Sequence, residues 1–228
     1  MATDLQIGLT DRIGLAGWLD QAAKRAIDLV LAGALLILLS PVLAVIVVTV
    51  RLTSPGPALF RQVRVGYLRT PFVMLKFRSM RQDSDEALHR AYVTSMLTGQ
   101  AVPADPERAV YKVTGAADPR VTPVGWFLRK ASLDELPQLI NVLRGEMSLV
   151  GPRPALPWEV ELFDPRHHVR FAVKPGITGL WQTSGRSMLT MRQALDLDVA
   201  YVQRRNLSLD LITLLRTVPA VMRARGAG

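Results

Sequence analysis

The sequence predicts a mainly α-helical chain with one small β-hairpin (α+β), held to a membrane as a monotopic protein. A re-entrant helix hairpin near the N-terminus and amphipathic interfacial helices are its expected anchors. Three stretches carry this reading. Ile27 to Val50, IDLVLAGALLILLSPVLAVIVVTV, is predominantly apolar with Asp28 its one charge, and roughly 20 such residues are enough for a transmembrane helix. Ala58 to Val65 and Pro71 to Ser79 read as two short strands separated by a turn around Gly66. After Asp134 and Glu135, the residues Leu136, Leu139, Ile140 and Leu143 recur at the spacing of an amphipathic helix.

Composition narrows the partners. With 228 residues the chain is one large domain or two small ones. Its formal charge of +9 calls for an anionic partner: nucleic acid, an anionic membrane or a phosphorylated substrate. A positive mean hydropathy argues against a freely soluble nucleic-acid binder. There is no cysteine, which excludes disulfides and thiolate zinc sites and fits a reducing compartment. Three histidines are too few for a His-rich metal centre.

Taken in order, residues 1–23 form a mildly polar leader ending in an amphipathic run, Ile13 to Ala23, that lies against the membrane or frays. Residues 24–53 are the membrane segment. Its apolar core is too long for a secretory signal, and no small-residue cleavage site follows. Lys24 and Arg25 precede it, and Arg51, Arg61 and Arg64 follow it. Positive flanks stay cytoplasmic, so a single crossing satisfies the rule at only one end. Ser40-Pro41 sits near the midpoint, where proline removes a backbone hydrogen bond and the serine hydroxyl can satisfy freed backbone groups. A helix broken there with both ends cytoplasmic is a re-entrant hairpin. A kinked spanning helix remains the alternative, because spanning helices tolerate proline. Asp28 lies close enough to the end to reach the interface and is not read as an intramembrane functional charge.

Thr53 to Pro57 is a turn cluster that ends the membrane segment. In the second strand Phe72, Met74, Lys76 and Arg78 share one face, and Val73, Leu75, Phe77 and Ser79 the other. Arg61, Arg64, Lys76 and Arg78 make the hairpin basic, suited to lipid headgroups or a substrate phosphate, or simply a solvated edge that discourages aggregation. Residues 82–117 read as a variable insertion, with a helix over Ser84 to Leu97 and a loop over Thr98 to Arg108. Asp118-Pro119 turns the chain into a short helix, Pro123 to Lys130, which delivers Arg129 to the acidic pair.

Beyond Pro154, residues 156–172 have the pattern of an amphipathic helix with a broken middle at Asp164-Pro165. His167 and His168 are adjacent, about 100° apart on a helix, and are read as surface or interface residues rather than metal ligands. Lys174 to Gly179 is a loop whose two glycines let backbone approach a ligand. Trp181 and Gln182 would then line a pocket for a base or sugar, with Arg186 reaching a phosphate; burial in the core is the ordinary fate of such a tryptophan. Residues 207–225 form an apolar-faced helix with basic margins, fit to lie on an anionic bilayer or to pack on the core.

The acidic pair has two readings. Ser132 with Glu135 fits a capping box, and Asp134 fits an N-cap that leaves Pro137 in the first helical turn. Acidic residues at a helix start are ordinary structural caps. The company is not ordinary: Arg129, Lys130, Arg144 and Arg153 crowd the same stretch. Cations, free N–H groups and carboxylates able to hold a divalent ion suit a phosphate-bearing substrate. Pro152 and Pro154 stiffen the backbone around Arg153, and a rigid guanidinium suits bidentate phosphate recognition.

The stretch SLDELPQLINVLRGEMSLVGPRP, Ser132 to Pro154, resembles the signature of the bacterial sugar transferase family, the monotopic phosphoglycosyl transferases that begin glycoconjugate assembly on a lipid carrier. The resemblance continues through KFRSMR (Lys76 to Arg81), DPRVTPVGWFLRK (Asp118 to Lys130), KPGITGLWQTSGR (Lys174 to Arg186) and SLDL (Ser208 to Leu211). It implies transfer of a sugar 1-phosphate from a nucleotide-diphosphate sugar, a UDP-sugar, to polyprenol (undecaprenyl) phosphate, the first membrane step of exopolysaccharide, O-antigen, capsule or glycan synthesis. It maps the nucleophile onto Asp134, with an acyl-phosphate intermediate, and the second acidic residue onto Glu135, the two holding Mg²⁺. Arg129, Arg153 and Arg186 fall on the family's arginine positions and would bind phosphate. The resemblance also implies a re-entrant anchor in the bacterial inner membrane, a catalytic domain (54–228) on the cytoplasmic face, and no nucleic-acid partner; a homodimer is an arrangement open to it. LWQTSGR leans towards hexose rather than acetamido-sugar donors. Two rivals remain: a non-catalytic basic membrane-tethered binding protein, and a metal-dependent lipid-diphosphate hydrolase.

Overall fold

The computed structural model describes residues 15–81, 87–98, 120–184 and 189–222. It is mostly helical, with two small two-stranded sheets among the described residues. Helix α1, Leu15–Thr53, is long and apolar enough to associate with a membrane. It begins earlier than the expected 24, so the end of the leader belongs to it, and it runs through Ser40-Pro41 without a gap. The expected break is a proline inside one helix, with the Ser40 hydroxyl donating to the Ile37 carbonyl at 2.8 Å. Side chains along the middle of α1 face outward: Ile37 is 78% and Leu38 74% exposed.

Both ends of α1 dock on the same body. At the first end, Arg25 donates to the Val142 carbonyl at 2.7 Å and the Leu143 carbonyl at 3.1 Å. It thereby caps the C-terminus of helix α4, Gln138–Arg144. Lys24 donates to the Val150 carbonyl and pairs with Asp210. The buried Asp28 accepts from the Ser148 hydroxyl and the Leu149 N–H at 3.1 and 2.9 Å. At the other end, Ile46 and Val50 pack with Ala58, Phe77 and Leu128.

The hairpin forms as its alternation demands. Strands β1, Leu59–Val65, and β2, Pro71–Phe77, pair antiparallel from Leu59↔Phe77 to Val65↔Pro71. The outer edge of β2 is completed by a side chain. Asn141 of α4 accepts from the Leu75 N–H at 3.0 Å and donates to the Val73 carbonyl at 2.8 Å. A buried amide here replaces a neighbouring strand, satisfying groups that would otherwise be stranded.

A second, parallel pair was not anticipated: β3, Ser148–Val150, beside β4, Gly176–Thr178. Gly176 permits it, since a Cβ there would lie 2.1 Å from the Gly151 nitrogen. The glycines of the Lys174–Gly179 stretch, Gly176 and Gly179, both allow close approach to Gly151. The core joins Met74, Leu139, Val142, Met147 and Tyr201 with Ala32 of α1.

The remaining helices are α2, Ala87–Thr98; α3, Pro123–Lys130; α5, Pro157–Val160; α6, Leu180–Ser184; α7, Met191–Arg204; and α8, Leu207–Met222. The break at Asp164-Pro165 is present: α5 ends before it, and a 3₁₀ segment, Pro165–Ala172, follows with Asp164 capping the Arg166 N–H. His167 is buried, its Nε2 2.9 Å from Asp196, so it is not a surface residue. Helix α8 packs on the core, the second of the two roles open to it. Asp210 and Thr213 are buried against the body, while Leu211, Leu215 and Val218 form an exposed apolar stripe. The loop expected over Thr98 to Arg108 lies outside the described residues apart from its first.

Gly176→Ala should cost at least about 2 kcal/mol of stability, because backbone rather than a movable side chain opposes the new methyl. Gly33→Ala, in α1 with open space around it, should be neutral or stabilising by about 0.5–1 kcal/mol. Thermal unfolding of the two variants in the same detergent checks the contrast.

Candidate active site

The acidic pair is placed by a sharp turn. Helix α3 starts at Thr122, whose hydroxyl accepts from the Gly125 N–H at 2.9 Å. Gly125 lets α3 rest on the end of the hairpin: a Cβ would meet the Ser79 carbonyl oxygen at 1.9 Å. That contact brings Arg129 to Ser79, Nε donating to the hydroxyl at 2.9 Å. The chain then reverses at Ser132, which holds a left-handed conformation at φ 55°. Such a conformation is costly for a non-glycine residue, by about 1–3 kcal/mol.

A 3₁₀ turn, Leu133–Glu135, follows, and α4 starts only after Pro137. The capping expectations therefore fail. Ser132 makes no side-chain cap, and Asp134 precedes α4 by a full turn. Neither carboxylate is spent on capping α4.

Glu135 is held by two cations on one oxygen: Lys76 Nζ donates to Oε1 at 3.2 Å and Arg153 at 3.3 Å. Asp134 is buried, and among the described residues no side chain hydrogen-bonds or ion-pairs with its carboxylate. Burial pushes the Asp134 carboxyl above the usual carboxylate range, with Lys76 opposing. Burial acts on Glu135 the same way, but Lys76 and Arg153 outweigh it and hold that carboxyl low. Burial also lowers Lys76 from the ordinary ammonium range, against the pull of Glu135. Two adjacent carboxyls are thus driven apart by their surroundings.

Arg153 is presented by a backbone held through its carbonyls. Pro152 O accepts from the Gly176 N–H, Arg153 O from the Arg170 guanidinium, Pro154 O from the Arg64 guanidinium and Ala155 O from the Val65 N–H. The two prolines supply no N–H, so this segment is fixed from the acceptor side.

These groups wall a cavity of about 740 Å³. Lys76, Arg129, Asp134, Glu135 and Arg153 form its polar end, and Pro154, Trp181 and Gln182 also line it. Leu35 and Leu39 of α1 and Leu214 and Val221 of α8 supply an apolar wall.

Three expected site residues lie elsewhere, and a fourth escapes description. Arg78 is buried and donates to the carbonyls of Val50, Ser54 and Pro55, capping the C-terminus of α1. It is committed to the anchor, not to a substrate. Arg64 likewise serves the Pro154 carbonyl. Pro152 acts through the backbone, outside the cavity wall. Arg186 lies outside the described residues. Ser40 and Pro41 do not line the cavity, whereas Leu35 and Leu39 do. The sequence reading missed Asn141, Arg170 and Asp198, the last two lining the cavity as a buried ion pair at 2.7 Å. Only their polarity within apolar periodic stretches could have flagged them.

Fold and cavity together put a pocket lined by cations and two carboxylates beside a helix apolar enough to associate with a membrane. The chain belongs to the bacterial sugar transferase family, whose pattern matches residues 19–224, and it is a transferase. It is 40% identical over 205 residues to the exopolysaccharide production protein ExoY of Rhizobium meliloti, covering 90% of this chain and 88% of that one. It is 40% identical over 209 residues to the UDP-glucose:undecaprenyl-phosphate glucose-1-phosphate transferase of Caulobacter vibrioides, covering 87% and 69%. The undecaprenyl-phosphate galactose phosphotransferase of Salmonella typhimurium is 39% identical over 204 residues, 90% of this chain but 41% of that longer protein.

Lys76→Met should move the acid limb of the pH–rate profile to higher pH. The lysine charge lowers both carboxyls, so its loss raises both, and the ionised form of the pair is reached later as pH rises. Initial rates of a folded variant across pH 5 to 9 test this; an unmoved limb would show that Lys76 does not set the ionisation of the pair.

Proposed function

We propose that the protein transfers hexose 1-phosphate from a UDP-hexose to undecaprenyl phosphate, releasing UMP, at the cytoplasmic face of the bacterial inner membrane. The observation that carries this is Asp134: a buried carboxylate with no partner among the described residues, in a cavity with cations at one end and membrane-helix leucines on its wall. A phosphate-bearing lipid needs both surfaces at one place. The glucose and galactose substrates named for the relatives agree with the hexose reading.

In the first step an Asp134 carboxylate oxygen attacks the phosphorus bonded to the sugar. A phosphorus–oxygen bond forms, the bond to the nucleotide phosphate breaks, and UMP leaves with the electron pair. In the second, a phosphate oxygen of the lipid attacks the same phosphorus and Asp134 departs as a carboxylate. Arg129 and Arg153 neutralise the phosphate oxygens, and Arg153 with Lys76 keeps Glu135 ionised beside them.

Among the described residues there is no cluster of three or more ligating side chains. Two adjacent carboxylates, one without a protein partner, fit Mg²⁺ carried largely by substrate phosphates. Asp134 and Glu135 would hold it, and bound there it would neutralise the diphosphate and ease departure of the nucleotide. The catalytic domain, 54–228, would lie on one membrane face. Docking of both ends of α1 on that domain supports a re-entrant path over a spanning one.

Asp134→Asn preserves size and should give a folded, membrane-bound protein with no detectable transfer, since an amide cannot form the acyl phosphate. Wild-type enzyme given UDP-glucose or UDP-galactose with Mg²⁺ but no lipid should release up to one equivalent of UMP and carry sugar phosphate on the Asp134 peptide. Full activity of the asparagine variant would overturn the mechanism. Free sugar phosphate made equally well without lipid acceptor would indicate a hydrolase.

Topology is checked separately. Single cysteines at the exposed positions Gln21 and Thr70 should both resist an impermeant thiol reagent in intact cells. Labelling of one alone would establish a spanning helix.

A further inference from the structure

Arg170 and Asp198 have no part in the chemistry proposed above, yet they are buried together against the cavity. Their side chains are 5% and 3% exposed. Arg170 belongs to the 3₁₀ segment Pro165–Ala172 and Asp198 to α7. One guanidinium nitrogen of Arg170 donates both to the Asp198 carboxylate, at 2.7 Å, and to the backbone carbonyl of Arg153. The guanidinium lies over the rings of Phe163 and Phe171, 5.2 and 5.7 Å from their centroids. Rings on its faces and a carboxylate at its edge leave it little freedom. A buried ion pair is seldom the most stable filling for a core, which points to geometry as its use.

We propose that the Arg170–Asp198 pair is a positioning device that fixes the Arg153 backbone and so aims the Arg153 guanidinium at Glu135. Asp198 holds Arg170, Arg170 holds the Arg153 carbonyl, and the side chain leaving that residue reaches Glu135 at 3.3 Å. Neither residue touches the reacting atoms. The inference rests on the sugar-phosphate transfer reading only for its kinetic arm.

Burial pushes the Asp198 carboxyl up to about 6, with Arg170 and then Arg153 opposing, so the hold on Arg170 should weaken as pH falls through that value. The charged groups facing Asp198 are Arg170 and Arg153. On its own helix Asp196 is engaged by His167 and Arg166, and Arg192 donates to the Leu97 carbonyl of α2. Helix α6 carries no titratable side chain, and Arg90 of α2 stacks on Trp158.

The test is a double-mutant cycle with a spectroscopic readout beside it. Asp198→Asn keeps an acceptor without the charge; Arg170→Lys keeps the charge without the fork. At pH 7.5 each should lower kcat/KM for the nucleotide sugar on the order of 10-fold, the scale of a small misplacement. In an Arg153→Ala background the same changes should cost less than about twofold, because the residue they act through is gone. Equal losses in both backgrounds, or none in the folded single variants, would overturn the proposal.

The second readout needs no turnover. The Arg153 Nε–H resonance, assigned by its loss in Arg153→Ala, should shift in wild-type protein with a midpoint near pH 6. In folded Asp198→Asn it should sit at the low-pH position throughout. A resonance that ignores both the titration and the substitution would refute the positioning role even if the protein proved inactive on every sugar nucleotide.

Discussion

Two adjacent carboxylates in a buried turn cannot both be charged without cations close by, and much of the catalytic body answers that constraint. Each element around Asp134 and Glu135 delivers one positive group. Strand β2 brings Lys76, α3 brings Arg129, and the Gly151–Pro154 segment brings Arg153. The cations are distributed unequally. Glu135 takes both direct ion pairs and is held low; Asp134 takes none among the described residues and is pushed up by burial. The asymmetry leaves one carboxyl paired and the other open, much as burial and pairing drive other carboxyl pairs apart.

The excess positive charge of the chain therefore has more than one destination. Arg25, Arg64, Arg78 and Arg170 all donate to backbone carbonyls, at two helix ends and along the proline-flanked clamp. A guanidinium fork matches a set of converging carbonyls almost as well as a phosphate, and the two uses have the same appearance in a sequence. That is why Arg64 and Arg78 read as candidate headgroup or substrate ligands while serving as internal fasteners. Burial distinguishes them: both lie inside, whereas a phosphate ligand must keep part of its fork open to the cavity.

What was legible in the sequence was local. Alternation in β1 and β2 identified the hairpin, the apolar run identified α1, and the prolines around Arg153 identified a stiff presentation. What was not legible depended on partners distant in sequence. Three-residue strands such as β3 and β4 have too little pattern to announce themselves, and their pairing rests on a close approach at Gly151 and Gly176 that only a folded backbone reveals. Asn141 looked like one polar residue on a helix, yet it completes the edge of β2 and so sets the distance from α4 to Lys76. The cap assigned to Ser132 and Asp134 failed for a related reason. The left-handed turn at Ser132 is stabilised by the surrounding packing, not by its own preference, and it displaces the pair from the helix it resembles a cap for.

Helix α1, apolar enough to associate with a membrane, is also built into the body. Lys24 and Asp28 grip β3 at Val150, Ser148 and Leu149, and the chain passes from β3 directly into the segment that carries Arg153. One turn further along α1, Ala32 enters the core with Met74 and Leu139, and beyond it Leu35 and Leu39 reach the cavity. Core packing and cavity wall thus succeed one another along a single helix. A shift of α1 relative to the body would move β3 and the Arg153 carbonyl scaffold with it, because backbone and side-chain hydrogen bonds connect them without an intervening loop. The placement of α1 and the geometry around Asp134 are consequently parts of one arrangement, joined through β3 and the segment that carries Arg153.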